Sequence, residues 1–185
     1  MKNNEVVKFG LILFVITAVC TGIVSAMFEI TNPIIEKQQI EKDNKARETI
    51  LPAAKTFEKV EGDFGEEVKE VYKGLDGSEV VGYTIKTTPK GYGGEIEVTT
   101  AVTKDKTISG VSIGTMSETP GLGAKSKDDA FIGQYKDKAA SEIKVIKNGT
   151  PADDQIVAIA GATITSNAVT KGVNESIKVA EEQMK

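Results

Sequence analysis

A chain of 185 residues that is 39% hydrophobic and 27% charged has the make-up of an ordinary globular protein, long enough for one domain with a core. It contains no His, and Cys20 is its single cysteine, which excludes imidazole acid/base catalysis, Ser-His-Asp triads, His-based metal sites, internal disulfides and thiolate clusters. The formal net charge of −4 lacks the basic balance that a nucleic-acid partner demands.

Phe9 to Phe28 forms a run of twenty residues without a charge, and a helix of that length spans ~30 Å, the thickness of bilayer hydrocarbon. Lys2 and Lys8 precede it and Glu29 follows, so the positive-inside rule places the N-terminus in the cytoplasm and the rest outside. Val24-Ser25-Ala26 resembles a signal-peptidase site, but the apolar run exceeds the usual ~7–15 residues of a signal peptide. Cys20 lies deep in the run and reads as a small membrane-facing hydrophobe. The expected organisation is a cytoplasmic N-terminus over 1–8, a transmembrane helix over 9–28, a stalk helix and linker over 29–55, and one soluble domain over 56–185.

Pro33 suits a helix start, and Ile34, Ile35, Ile40, Ala46 and Ile50 among alternating charges predict a helix from Pro33 to Ile50, stopped by Leu51-Pro52. Residues 66–72, 80–87, 95–103 and 107–113 are rich in β-branched side chains, with Asp76-Gly77 and Lys104-Asp105-Lys106 as turns between them. They predict an antiparallel meander. A short helix is expected over Ser126 to Tyr135, two strands over 143–146 and 155–159 around Asn148-Gly149, and a last helix over Ser166 to Glu182. Strands and helices without a βαβ rhythm give an α+β class, an antiparallel sheet with flanking helices behind one N-terminal transmembrane helix.

Ile159 to Asn167 passes from an apolar strand through Ala160, Gly161 and Ala162 into the last helix, with hydroxyls at Thr163, Thr165 and Ser166. Small residues let a ligand approach the backbone, and a helix start offers unpaired N–H groups to a phosphate. On residue chemistry alone the same segment also reads as a capped helix packed tightly on its strand.

The run Ala160-Gly161-Ala162-Thr163-Ile164-Thr165-Ser166 resembles the Ser/Thr-Gly-Ala-Thr motif of FMN-binding domains whose last motif threonine, here Thr163, is esterified by the FMN phosphate. Ser117-Glu118-Thr119-Pro120-Gly121-Leu122-Gly123 is similar to their Glu-Thr-Pro-Gly-Leu-Gly stretch, and Gly91-Tyr92-Gly93-Gly94 to an earlier Gly-Tyr-Gly-Gly segment. Three motifs in this order behind one apolar helix resemble the G subunit of Rnf-type ion-translocating electron transport complexes, with the C subunit of sodium-translocating NADH:quinone reductase as a longer relative. The chain departs from the pattern at Ala160, where Ser or Thr is common, at Val157, where Asp often stands, and at Met116, near which a His often precedes the second motif.

The resemblance implies covalent FMN installed by a separate flavin transferase, and an electron-relay role among other membrane subunits, with lipid around the anchor. It implies a phosphate end built from Gly161, Ala162, Thr163, Thr165 and Ser166, and a ring end built from Glu118, Thr119, Gly121, Leu122 and Gly123. Lys125, offsetting cofactor charge, and Tyr92, packing beside the ring, are further candidates. The competing expectation is an extracytoplasmic binding or assembly module without a redox cofactor, in which the glycine-rich segments are only turns.

Overall fold

The structure, a computed structural model, describes residues 2–185. The chain divides into two compact units, the first ending at Asp43 and the second running over Asn44–Lys185.

The first unit is helical. Helix α1 runs over Lys2–Ile50, so the helix expected to begin at Pro33 is instead part of a longer one with Pro33 inside it. Proline keeps a helical φ but donates no N–H, which costs the helix one hydrogen bond without ending it. The helix contains an 18-residue window of mean hydropathy 2.5 with none of it buried, and is long and apolar enough to cross a membrane. Within the uncharged run the Thr17 hydroxyl donates to the Leu13 carbonyl at 3.0 Å, so its polarity is satisfied inside the helix.

The second unit is built on a five-stranded antiparallel sheet in the order β1-β2-β3-β4-β5, with β1 over Thr56–Lys59, β2 over Val68–Asp76, β3 over Glu79–Thr87, β4 over Ile96–Thr103 and β5 over Ile108–Met116. The β4–β5 turn places Lys106 at φ 56 and pairs the Thr103 N–H with the Thr107 carbonyl at 2.9 Å, the position where a hairpin loop of this length calls for a left-handed residue. The four expected strands are all present, and β1 is an addition: its sequence, Thr-Phe-Glu-Lys, has a single apolar residue, as an exposed edge strand requires.

Each face of the sheet is covered. Helix α3, over Thr163–Gln183, lies across β3 and β4 and buries Val169, Val173, Ile177 and Ala180 against Ile85, Val98 and Val102. On the opposite face Ile50 and Leu51, at and just past the end of α1, pack with Ala54 and Ala101. Strand glycines make that possible: a Cβ at Gly74 or Gly82 would come within 2.6 or 3.3 Å of Leu51, and one at Gly110 within 3.1 Å of Ile50. Arg47, only 4% exposed, closes this edge, with its guanidinium 3.7 Å from the centroid of the Tyr72 ring and 2.6 Å from a Glu70 carboxylate oxygen.

The expected helix over Ser126 to Tyr135 is a series of shorter turns: a 3-10 segment over Gly123–Lys127, helix α2 over Asp129–Ile132, and a second 3-10 turn over Gly133–Tyr135. Ser126 does not cap it; its hydroxyl is fully buried against the Met116 sulfur at 3.4 Å. Strands β6, over Lys144–Ile146, and β7, over Gln155–Val157, pair in parallel, so Asn148-Gly149 belongs to a crossover and not to a hairpin.

Tyr135 is fully buried, edge-on to Phe131 with ring centroids 5.8 Å apart, and its hydroxyl shares a 2.7 Å hydrogen bond with the Thr170 hydroxyl. Burial pushes its phenol well above the ordinary value, and the bond to Thr170 offsets only part of that shift. Above pH ~10 the unfolded chain loses this proton while the folded chain keeps it, so stability falls as pH rises through that range. Tyr135→Phe is expected to flatten the alkaline limb of a stability–pH profile, measured by urea unfolding between pH ~8 and ~11. An unchanged limb would assign it to other groups.

Candidate functional site

Strand β7 leads into α3 through one tight turn. The Ala162 N–H donates to the Ile159 carbonyl at 2.9 Å, and Gly161 in the third position has φ +76, which a type II turn reserves for glycine. A second turn repeats this geometry: the Leu122 N–H donates to the Thr119 carbonyl at 3.2 Å across Pro120-Gly121, with Gly121 at φ +77. The two turns touch, for a Cβ on Gly161 would stand 3.1 Å from a Leu122 methyl.

Helix α3 begins at Thr163, three residues earlier than the hydroxyl pattern suggests. Its N-cap is Ala162, which has no side-chain acceptor to offer and is among the poorest caps. The first intrahelical bond is Ser166 N–H to the Ala162 carbonyl at 3.0 Å. The amides of Thr163, Ile164 and Thr165 therefore lack an intrahelical acceptor and carry the helix's positive end.

These amides open on a cavity of about 590 Å³. Glu118, Thr119, Leu122 and Gly123 line it from one side, Gly161 to Thr165 from another, and Tyr92 from a third. Eight of the ten residues expected at the site thus meet here. Gly121 shapes the turn without facing the cavity.

Ser166 departs from the expectation that its hydroxyl serves a phosphate. It is fully buried, donates to the Ala162 carbonyl at 2.9 Å and accepts the Ile159 N–H at 3.0 Å, so it braces the strand-to-helix turn from behind. Thr165 is also committed, donating to a Glu118 oxygen at 2.5 Å from a position 2% exposed. Thr163 is half-buried, and among the described residues its hydroxyl has no hydrogen-bond partner. Lys125 lies apart, lining a neighbouring depression with Asp128, Phe131 and Ala160.

Glu118 is neither a solvated loop charge nor a free one. It is 7% exposed, accepts the Gly93 N–H at 2.8 Å, and takes the Thr165 hydroxyl on its other oxygen. Beyond α1, the exposed large hydrophobic side chains among the described residues are Tyr92, Leu122 and Ile164, and all three rim this cavity. Ile164, 56% exposed, escaped the sequence reading. Its signal was an apolar residue out of phase with the Val169-Val173-Ile177 stripe.

Every residue that lines the cavity falls within the segment, residues 91–178, that matches the FMN-binding domain family, while residues 1–50 match the RnfG N-terminal region. The G subunit of the Na+-translocating ferredoxin:NAD+ oxidoreductase complex of Acetobacterium woodii is 42% identical to this chain, over 94% of this chain and 91% of its own length. The chain belongs to the family of G subunits of ion-translocating oxidoreductase complexes.

Other G subunits agree along nearly their whole length. That of the proton-translocating ferredoxin:NAD+ oxidoreductase complex of Clostridium ljungdahlii is 39% identical over 88% of this chain and 85% of its own. That of the ion-translocating oxidoreductase complex of Methanosarcina acetivorans is 34% identical over 95% and 94%. Among solved structures, the C subunit of the Na+-translocating NADH-quinone reductase from Parabacteroides distasonis superposes with a TM-score of 0.60 over 81% of this chain and 95% of its own, at 23% identity. NqrC of Shewanella oneidensis superposes with a TM-score of 0.56 over 72% of each chain at 22% identity. These two establish a shared fold.

Proposed function

We propose that this G subunit is a membrane-anchored electron carrier holding FMN through a phosphoester to Thr163, and that it relays electrons among the subunits of an ion-translocating oxidoreductase complex. One observation carries the attachment site: Thr163 is the uncommitted hydroxyl on a helix start whose N-cap is alanine, whereas the Thr165 and Ser166 hydroxyls are buried and already paired. An Oγ–phosphorus bond at Thr163 keeps the phosphate beside amides that have no acceptor in the helix.

The cavity suits the group. Its volume of about 590 Å³ lies within the range typical of cofactor sites, its phosphate end is lined with N–H donors, and its rim is apolar. FMN, when bound, supplies the electron chemistry; the chain supplies position. Leu122, held by the Pro120-Gly121 turn, and Ile164 offer apolar contact to the ring. Thr119, exposed at the start of that turn, offers a hydroxyl to the ring's polar edge. The uncharged run of α1 sits in lipid, with Lys2 and Lys8 on the cytoplasmic side and the domain on the other. Partners in this reading are the other membrane subunits and a flavin transferase that installs the group.

Mass spectrometry of the protein made together with a flavin transferase tests the bond. The peptide containing Thr163 is expected to gain the mass of FMN less one water. An unmodified peptide in colourless protein would leave the domain as an assembly module without a redox group.

A further inference from the structure

We propose that Glu118 is the positioning residue that assembles the cofactor cavity, its carboxylate tying the Tyr92 loop to the first turn of α3; this rests on the reading of the cavity as the flavin site. The carboxylate joins segments far apart in the chain. One oxygen accepts the N–H of Gly93, 25 residues away, at 2.8 Å, and the other accepts the hydroxyl of Thr165, 47 residues away, at 2.5 Å. Through these bonds one side chain of the second glycine-rich motif holds both of the others.

Burying a carboxylate is unfavourable unless its oxygens are hydrogen-bonded. Glu118 is 7% exposed, and among the described residues no Lys or Arg forms an ion pair with it, so those two donors stabilise its charge. The surrounding backbone is cut to fit it. A Cβ on Gly91 would lie 2.5 Å from one carboxylate oxygen and a Cβ on Gly123 2.6 Å from the other, while a Cβ on Gly93 would lie 2.1 Å from the Ser117 carbonyl oxygen. These glycines make room for Glu118 and its neighbour.

Both tethered segments carry rim residues. Gly93 is next to Tyr92, and Thr165 is next to Ile164, so the two bonds set the spacing between an aromatic and an aliphatic side chain that both line the cavity. A carboxylate suits the task because both partners donate. An amide in its place still accepts the Gly93 N–H, and its NH2 meets the Thr165 oxygen once that hydroxyl rotates.

Amide hydrogen exchange on the full-length protein without flavin, and the fraction flavinylated after production with a flavin transferase, test this together. Glu118→Ala is expected to speed exchange at Gly93 about tenfold or more while the core amide of Val98 keeps its protection, and to lower the flavinylated fraction. Glu118→Gln is expected to hold Gly93 exchange within about threefold of wild type and to restore flavinylation. If the alanine variant loses protection throughout, Glu118→Asp, one methylene too short to reach both donors, takes its place with the same expectation of loss confined to Gly93. Gly93 protection that survives both the alanine and the aspartate change overturns the proposal, as does a glutamine variant no better than alanine. A wild-type protein that takes no flavin overturns the flavin reading alone, because the exchange comparison is made without it.

Discussion

Thr163→Ala leaves no covalent flavin: the denatured protein, run on a gel after production with a flavin transferase, is expected to lose its fluorescence completely, whereas Thr163→Ser keeps it. The substitution removes one methyl and a hydroxyl that has no hydrogen-bond partner among the described residues, at a half-buried position in the first turn of α3. Alanine is at least as good a helix former as threonine, so the stability change is expected to stay within about 0.5 kcal/mol and the melting temperature within about 2 °C. A colourless but equally stable variant isolates the hydroxyl as the point of attachment. Fluorescence that survives would move the bond to another residue, and neither neighbour is well placed: Thr165 is 2% exposed with its hydroxyl donating to Glu118, and Ser166 is fully buried with donor and acceptor both engaged.

Leu51→Ala is expected to cost about 3–5 kcal/mol, the upper part of the range for a buried leucine. Leu51 is fully buried, and its methyls rest where Gly74 and Gly82 have no side chains. Most leucine cavities shrink because neighbouring side chains lean into them. Here two of the walls are glycine backbone held in β2 and β3, which can lean nowhere, so the void persists. Urea unfolding measures the effect, and Leu122→Ala, at an exposed leucine, serves as the control with an expected loss below about 0.5 kcal/mol. A loss for Leu51→Ala below about 1 kcal/mol would show that this face of the sheet is held by something else.

The parts of the fold legible in the sequence are those with strong local chemistry. Alternating β-branched residues and the Asp76-Gly77 and Lys104–Lys106 turns mark β2 to β5 in their antiparallel order, and the uncharged run marks the apolar part of α1. Boundaries are less legible where two signals compete. Pro33 suits a first turn but is tolerated inside a helix, so α1 passes through it. The hydroxyls of Thr163, Thr165 and Ser166 suggest a helix that begins at Ser166, yet it starts at Thr163 on an alanine cap. The parallel pairing of β6 and β7 is a long-range property that Asn148-Gly149, a local signal, cannot report. At the site, the three motifs announce which segments matter but not how they divide the work. Glu118 looks like a loop charge because its donors lie 25 and 47 residues away, and Ser166 looks like a ligand because its two backbone partners come only with the finished turn.

The wide spacing of those tethers sets the order in which the protein matures. Strands β1 to β5 pair each with its sequence neighbour, contacts that close early and quickly, whereas Glu118 meets Thr165 only once the last helix has been synthesised and has docked on the sheet. Before that docking Thr163 has neither the completed helix start nor the cavity around it, so on the proposed reading the walls that would receive the flavin exist together only in the folded domain.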